Sequence, residues 1–180
     1  LSANQTIEAN AFQECSSLTE LSLPTTLKSI GNYAFISCTS LKNLNIPEGV
    51  VTIGEEAFRY DSELRSVFIS STVTTIGTSG YGNDGAFQDC TKLQTVIIAN
   101  GTKDTTIGKD AFKGCVALTT AHIPSNVTSI LEGAFSNCGN VTICNTTSDC
   151  YAKTYADANK IPFRICSGHE ENDFYTVTLN

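Results

Sequence analysis

The sequence predicts a solenoid of six stacked coils, β-dominated, with short parallel strands, tight 3₁₀ or α turns and a short helical cap near the C-terminal end. Three observations carry this expectation. The dipeptide Ala-Phe recurs six times, at Ala11-Phe12, Ala34-Phe35, Ala57-Phe58, Ala86-Phe87, Ala111-Phe112 and Ala134-Phe135. Each copy has an isoleucine upstream (Ile7, Ile30, Ile53, Ile76, Ile107, Ile130), and the third residue after phenylalanine is Cys15, Cys38, Cys90, Cys115 or Cys138, with Asp61 the one departure. An aliphatic ladder follows in every copy: Leu21, Leu44, Val67, Val96, Ala121, Val141, and two residues on Leu23, Ile46, Ile69, Ile98, Ile123, Ile143. Repetition at a period of this size marks units that cannot bury their own apolar face and do so by stacking.

The elements of one coil follow in order. Leu-x-Ile is the alternation of a strand with one face buried, so strands are expected at 20–23, 43–46, 66–69, 95–98, 120–123 and 140–143. Proline after the strand, at Pro24, Pro47 and Pro124, has no N–H to give a ladder and marks its end. Val-x-x-Ile begins the return wall, and glycine after the isoleucine (Gly31, Gly54, Gly77, Gly108) suits a tight corner. Ala-Phe-x-x-Cys then packs a small residue and a ring on the opposite wall, as a turn of 3₁₀ or α-helix. Six coils about 4.8 Å apart would make a core on the order of 29 Å long, with the six phenylalanines in one buried column.

Composition narrows the function. The 180 residues carry a formal charge of −7 and a sequence pI near 4.7, with no cluster of lysine or arginine. That removes the counterion-release term that drives nucleic-acid binding, and no apolar run is long enough to span a bilayer. No nucleic-acid partner and no membrane insertion are expected. The sequence lacks methionine altogether, so the chain is expected to be a processed product or a fragment, with any export signal upstream.

In its repeat, best seen in "SIGNYAFISCTSLKNLNIPEGV", the run from Ile7 to Ile143 resembles the BspA-like leucine-rich repeats of bacterial and protist surface proteins. The resemblance implies a right-handed leucine-rich-repeat solenoid displayed outside the cell, with roles in adhesion or in binding a host or neighbouring-cell protein or glycan. It supplies no catalytic residues. Residues 1–143 are expected to form the solenoid of six repeats, 144–166 the C-terminal cap, and 167–180 a linker followed by the strand-like "FYTVTLN", either the start of a following module or a strand added to the solenoid's own edge. In the cap, Ser148 or Asp149 can begin a helix on which Tyr151 and Tyr155, and Ala152 and Ala156, recur at i, i+4, with Pro162 as its stop.

The chemistry-bearing residues point away from catalysis. Neither His122, on an expected strand, nor His169 has a nucleophile or ligand at partner spacing, and no C-x-x-C pair suggests zinc. No enzyme activity, cofactor or metal is expected. The five cysteines of the repeat are expected to be buried, reduced thiols acting as small hydrophobes. Among the other three, Cys144–Cys150 is the first choice for a disulfide in an exported protein, with Cys166 the competing partner. Residues between the two rungs of each strand should point outward, giving the line Ser22, Asn45, Phe68, Ile97, His122, Thr142. Phe68, Ile97 and His122 would then form an exposed patch, near insertions at 78–85, with Tyr81, and 100–105. This patch is the expected binding site of an extracellular or cell-surface interaction module, or else it is covered by the C-terminal tail or by crystal or dimer contacts. The alternative is a structural spacer that holds another domain away from the cell envelope.

Overall fold

The computed structural model describes residues 5–77 and 85–166. In chain order these form β1 (Gln5–Ile7), β2 (Leu27–Ile30), β3 (Asn43–Ile46), β4 (Thr52–Ile53), β5 (Ser66–Ile69), β6 (Thr75–Ile76), β7 (Thr95–Ile98), β8 (Thr105–Ile107), β9 (Thr120–His122), β10 (Val127–Ile130), β11 (Thr142–Asn145), α1 (Tyr151–Ala158) and β12 (Phe163–Ile165). The strands make two parallel sheets, ordered β1-β2-β4-β6-β8-β10 and β12-β11-β9-β7-β5-β3. Each coil contributes Leu-x-Ile to one sheet and Val-x-x-Ile to the other, so the return wall is a sheet as well. Between the sheets the aliphatic rungs are buried with Phe35, Phe58, Phe87, Phe112 and Phe135.

The phenylalanine column forms as the repeat predicts. Successive rings from Phe12 to Phe135 stack with centroids 5.0, 5.1, 5.2, 5.3 and 5.2 Å apart. Phe12, however, is exposed: it is the first of the six rings, and among the described residues it stacks on Phe35 alone. The same end effect exposes Cys15, which was expected to be buried, and leaves no strand at 20–23, where Leu21 and Leu23 only partly pack on the core. Cys38, Cys90, Cys115 and Cys138 are buried, and each thiol donates to the phenylalanine carbonyl of the preceding coil at 3.3, 3.1, 3.2 and 3.0 Å. These thiols are therefore not merely small hydrophobes. The carbonyls of Phe12, Phe87 and Phe112 also accept the N–H of Cys15, Cys90 and Cys115, so the thiol there is a second donor from the next coil.

The Ala-Phe segment is not helical. It is a run of turns flanked by residues in the left-handed region, such as Tyr33 and Ser37 around Ala34-Phe35-Ile36. The flip at these flanks directs alternate N–H groups along the solenoid axis: Tyr33 donates to Glu55, Phe35 to Ala57 and Ser37 to Arg59, each at 2.8 Å. A helical turn would have kept those donors inside the coil, so this wall too is laddered from coil to coil. Glycine after the isoleucine has two causes: Gly77, with φ of 73°, is in the left-handed region that a tight corner uses, whereas Gly31, Gly54 and Gly108 are set by lack of space. Gly31 has no left-handed φ, but a Cβ there would stand 2.7 Å from the Ala9 nitrogen of the coil below.

Helix α1 replaces the turn wall of the last coil. It buries Ala152, Tyr155 and Ala156, and Tyr155 meets Phe135 edge-on at 6.1 Å, ending the ring column. Its N-cap is Cys150, without a side-chain cap bond, rather than Ser148 or Asp149. Past the helix, β12 pairs with β11, so the cap carries the sheet one strand further.

Candidate functional site

Ladder register fixes the outward row of the β3–β12 sheet. Cα partners run Asn45, Phe68, Ile97, His122, Cys144, Arg164. The expected row ends in Thr142, but Thr142 pairs with Thr120 and the outward slot beside His122 belongs to Cys144. His122 and Cys144 are 22 residues apart, against 23 for Asn45 and Phe68, and the pairing lies two residues on from the expected one, which preserves inside and outside but changes which side chain stands next to His122.

The row was also expected to be exposed from Phe68 to His122, and it is not. Phe68 is 4%, Ile97 5% and His122 8% exposed. Phe68 and Ile97 form a small apolar cluster with Ala99, separate from the main core. Strand alternation therefore chose the correct face. It could not say whether that face is covered, because alternation is a property of one strand and coverage is a property of the assembled wall. Tyr81 lies outside the described residues. The 100–105 segment is clasped by Asn126, whose Oδ1 accepts from Gly101 N at 3.0 Å and whose Nδ2 donates to Lys103 O at 2.9 Å and Thr105 Oγ1 at 3.0 Å.

Where the outward row reaches the cap, the structure gathers three chemically active side chains. Cys144 Sγ lies 2.9 Å from His122 Nδ1 and 3.5 Å from Nε2, and Cys166 Sγ lies 3.5 Å from Nδ1. Each residue's ligand atom is within 4.8 Å of the other two. The Cys144–Cys150 disulfide is not formed. Both thiols are free, and Cys150 instead donates to Thr147 O at 3.4 Å, which leaves Cys166 beside Cys144. Burial, aided by Cys166, pushes the Cys144 thiol up to about 12, while the Arg164 side chain opposes the shift. At neutral pH the thiol is protonated, so the Cys–His pair lacks the thiolate a nucleophile needs.

This cluster was missed because its residues do not share a short motif. The signal was present in another form: His122 and Cys144 are 22 residues apart, and His122 and Cys166 are 44 apart. Two steps of nearly one coil length place side chains on neighbouring coils, as a short motif does on one helix.

A cleft of about 270 Å³ opens beside the cluster, lined in part by Ile97, Asn100, Pro124 and Ser125, with Asn145 and Thr146 completing its polar side. Asn145 Oδ1 faces three donors, Thr147 N at 3.3 Å, Thr146 Oγ1 at 3.3 Å and Ser125 Oγ at 3.4 Å. The backbone N–H fixes which way the amide is turned. Its Nδ2 is buried and has no hydrogen-bond partner among the described residues.

Comparison with known proteins agrees with this architecture. Among solved structures, a leucine-rich repeat protein of T. pallidum is similar with a TM-score of 0.59 at 21% identity, over 91% of this chain and 80% of that one. A leucine-rich repeat protein from Bacteroides ovatus is 26% identical over 77% of this chain and 42% of that one, with a TM-score of 0.43. A leucine-rich cell surface protein from Faecalibacterium prausnitzii is 24% identical over 91% of this chain and 61% of that one, with a TM-score of 0.39. Among curated proteins none matches this sequence. A family model described as the BspA type leucine rich repeat region matches residues 2–83 and 80–160 in six copies. With the repeat, the two-sheet solenoid and the family model in agreement over most of its length, the chain belongs to the BspA-type leucine-rich repeat family.

Proposed function

We propose that this chain is an extracellular or cell-surface interaction module that binds a protein or glycan at the cleft beside β7, β9 and β11, and that it has no catalytic role. The observation that carries the proposal is the unpaired Nδ2 of Asn145 at the polar side of an apolar cleft. A buried donor without a partner costs on the order of 1–3 kcal/mol, and a carbonyl or hydroxyl oxygen of a ligand would recover it. The outward row supports the same reading. Inward positions repeat from coil to coil, whereas the outward ones change character from amide to aromatic, aliphatic, imidazole, thiol and guanidinium. A spacer has no need of such variety.

The burial of Phe68 and Ile97 favours the second reading, a structural spacer, because it takes the large apolar side chains of that row out of reach of a partner. An array of matrix proteins and glycans probed with the purified chain distinguishes the two. Binding that is lost in Ser125→Trp, which fills the cleft, supports the interaction module. Absence of binding to every probe, or binding unaffected by that substitution, would sink the cleft proposal.

A further inference from the structure

We propose that His122, Cys144 and Cys166 form a binding site for one soft or borderline divalent cation of the zinc class, joining β9 to β11 and to the residue that follows β12.

The geometry comes from the sheet. Cys144 is the Cα partner of His122, and Cys166 continues the ladder past β12 by donating its N–H to Asn145 O at 3.0 Å. The fold thus sets an imidazole and two thiols on three adjoining segments, all facing one point. A tetrahedral ion with bonds of roughly 2.3 Å to sulfur and roughly 2.0 Å to nitrogen needs its ligand atoms roughly 3.6–3.8 Å apart. The observed sulfur–nitrogen separations from His122 Nδ1 are 2.9 and 3.5 Å, and no two of the ligand atoms are more than 4.8 Å apart. Adjustments of about 1 Å or less separate this arrangement from a coordination sphere.

The donor set chooses the ion. Two thiolates and one imidazole suit zinc and disfavour magnesium or calcium, which take oxygen. Cys144 and His122 are buried while Cys166 is half-buried, so the ligands are largely shielded but reachable through the cleft they line. On binding, each thiol gives up its proton to solvent, and the two negative charges that result match a divalent cation. With three protein ligands, the fourth position goes to water or to a donor from a partner. This inference does not depend on the cleft binding a macromolecule.

The test is a titration of the full chain, reduced and stripped of metal, with Co(II) and then Zn(II). A thiolate-to-cobalt charge-transfer band with tetrahedral visible bands, saturating at one equivalent and displaced by zinc, is the expected result. Cys166→Ser, at a half-buried position, should keep the circular-dichroism spectrum of the parent and weaken binding by roughly tenfold or more. His122→Asn should do the same, and Cys150→Ser should bind as the parent does. Zinc should also raise the thermal midpoint of the parent but not of Cys166→Ser. The proposal is overturned if the reduced chain gives no charge-transfer band, or if the band persists in Cys166→Ser and His122→Asn. It is equally overturned if Cys144 and Cys166 form a disulfide that survives millimolar reductant, since the pair would then be a covalent staple.

Discussion

At position 61 a carboxyl group stands in the slot that holds a thiol in the other five coils. Asp61 is completely buried; its Oδ1 accepts the Cys38 N–H at 2.8 Å, and its Oδ2 has no hydrogen-bond partner among the described residues. Burial pushes its pKa up to about 9, against which the Cys38 N–H works. The folded chain therefore holds a proton that an unfolded aspartate, titrating near about 3.9, has released. The stability this proton confers is complete below about pH 4, falls as pH rises toward about 9, and is constant above that. Its slope is limited to about 1.4 kcal/mol per pH unit. Urea midpoints at about pH 5 and about pH 8 should show a decline for the parent and a clearly smaller one for Asp61→Asn. An equal decline in both would mean that some other group carries the dependence. Sequence alone marked Asp61 as a departure from the repeat, yet it could not show the consequence. The pKa shift depends on a neighbouring coil closing over the carboxyl group.

The turn wall belongs to the scale of the element. Spacing correctly placed Ala and Phe inward, but the expectation of 3₁₀ or α geometry considered only the hydrogen bonds available within one coil. In the solenoid the donors at Tyr33, Phe35 and Ser37 have acceptors on the next coil, and reaching them requires a left-handed backbone at Tyr33 and Ser37. For a residue with a Cβ that conformation costs roughly 1–2 kcal/mol, partly recovered by the ladder it permits. Gly114 occupies the position equivalent to Ser37, with φ of 75° against 61°. Ser37→Gly should therefore stabilise the chain by roughly 0.5–1 kcal/mol, seen as a thermal midpoint higher by about 1–4 °C. A lowered midpoint would show that the unfolded-state entropy of glycine outweighs the relief.

At the scale of the whole molecule, a solenoid gains stability from each coil's contacts with its neighbours, so position along the stack sets the cost of a substitution. Phe87 is fully buried between Phe58 and Phe112, whereas Phe12 is 42% exposed and, among the described residues, stacks on Phe35 alone. Phe87→Ala should cost roughly 3–5 kcal/mol and Phe12→Ala at most about 1–2 kcal/mol. Denaturant unfolding of the two variants, with the m-value compared as well as the midpoint, checks this. Equal costs would contradict a nearest-neighbour stack.

The sequence by itself determined the number of repeats, the stack of rings, the inward rungs and the face on which Phe68, Ile97 and His122 lie. Each of these follows from a period, and a period is a local property that every coil states again. Only the tertiary structure decided that Phe68 and Ile97 are covered and that the first coil lacks its strand. It also decided that Cys144, not Thr142, stands beside His122, with Cys166 completing the cluster. Those outcomes arise where the repeat ends or breaks: an end coil has one neighbour instead of two, and in the last coil the pairing lies two residues on from the expected one. Which side chains then meet depends on how one coil settles against the next, and no single coil encodes that.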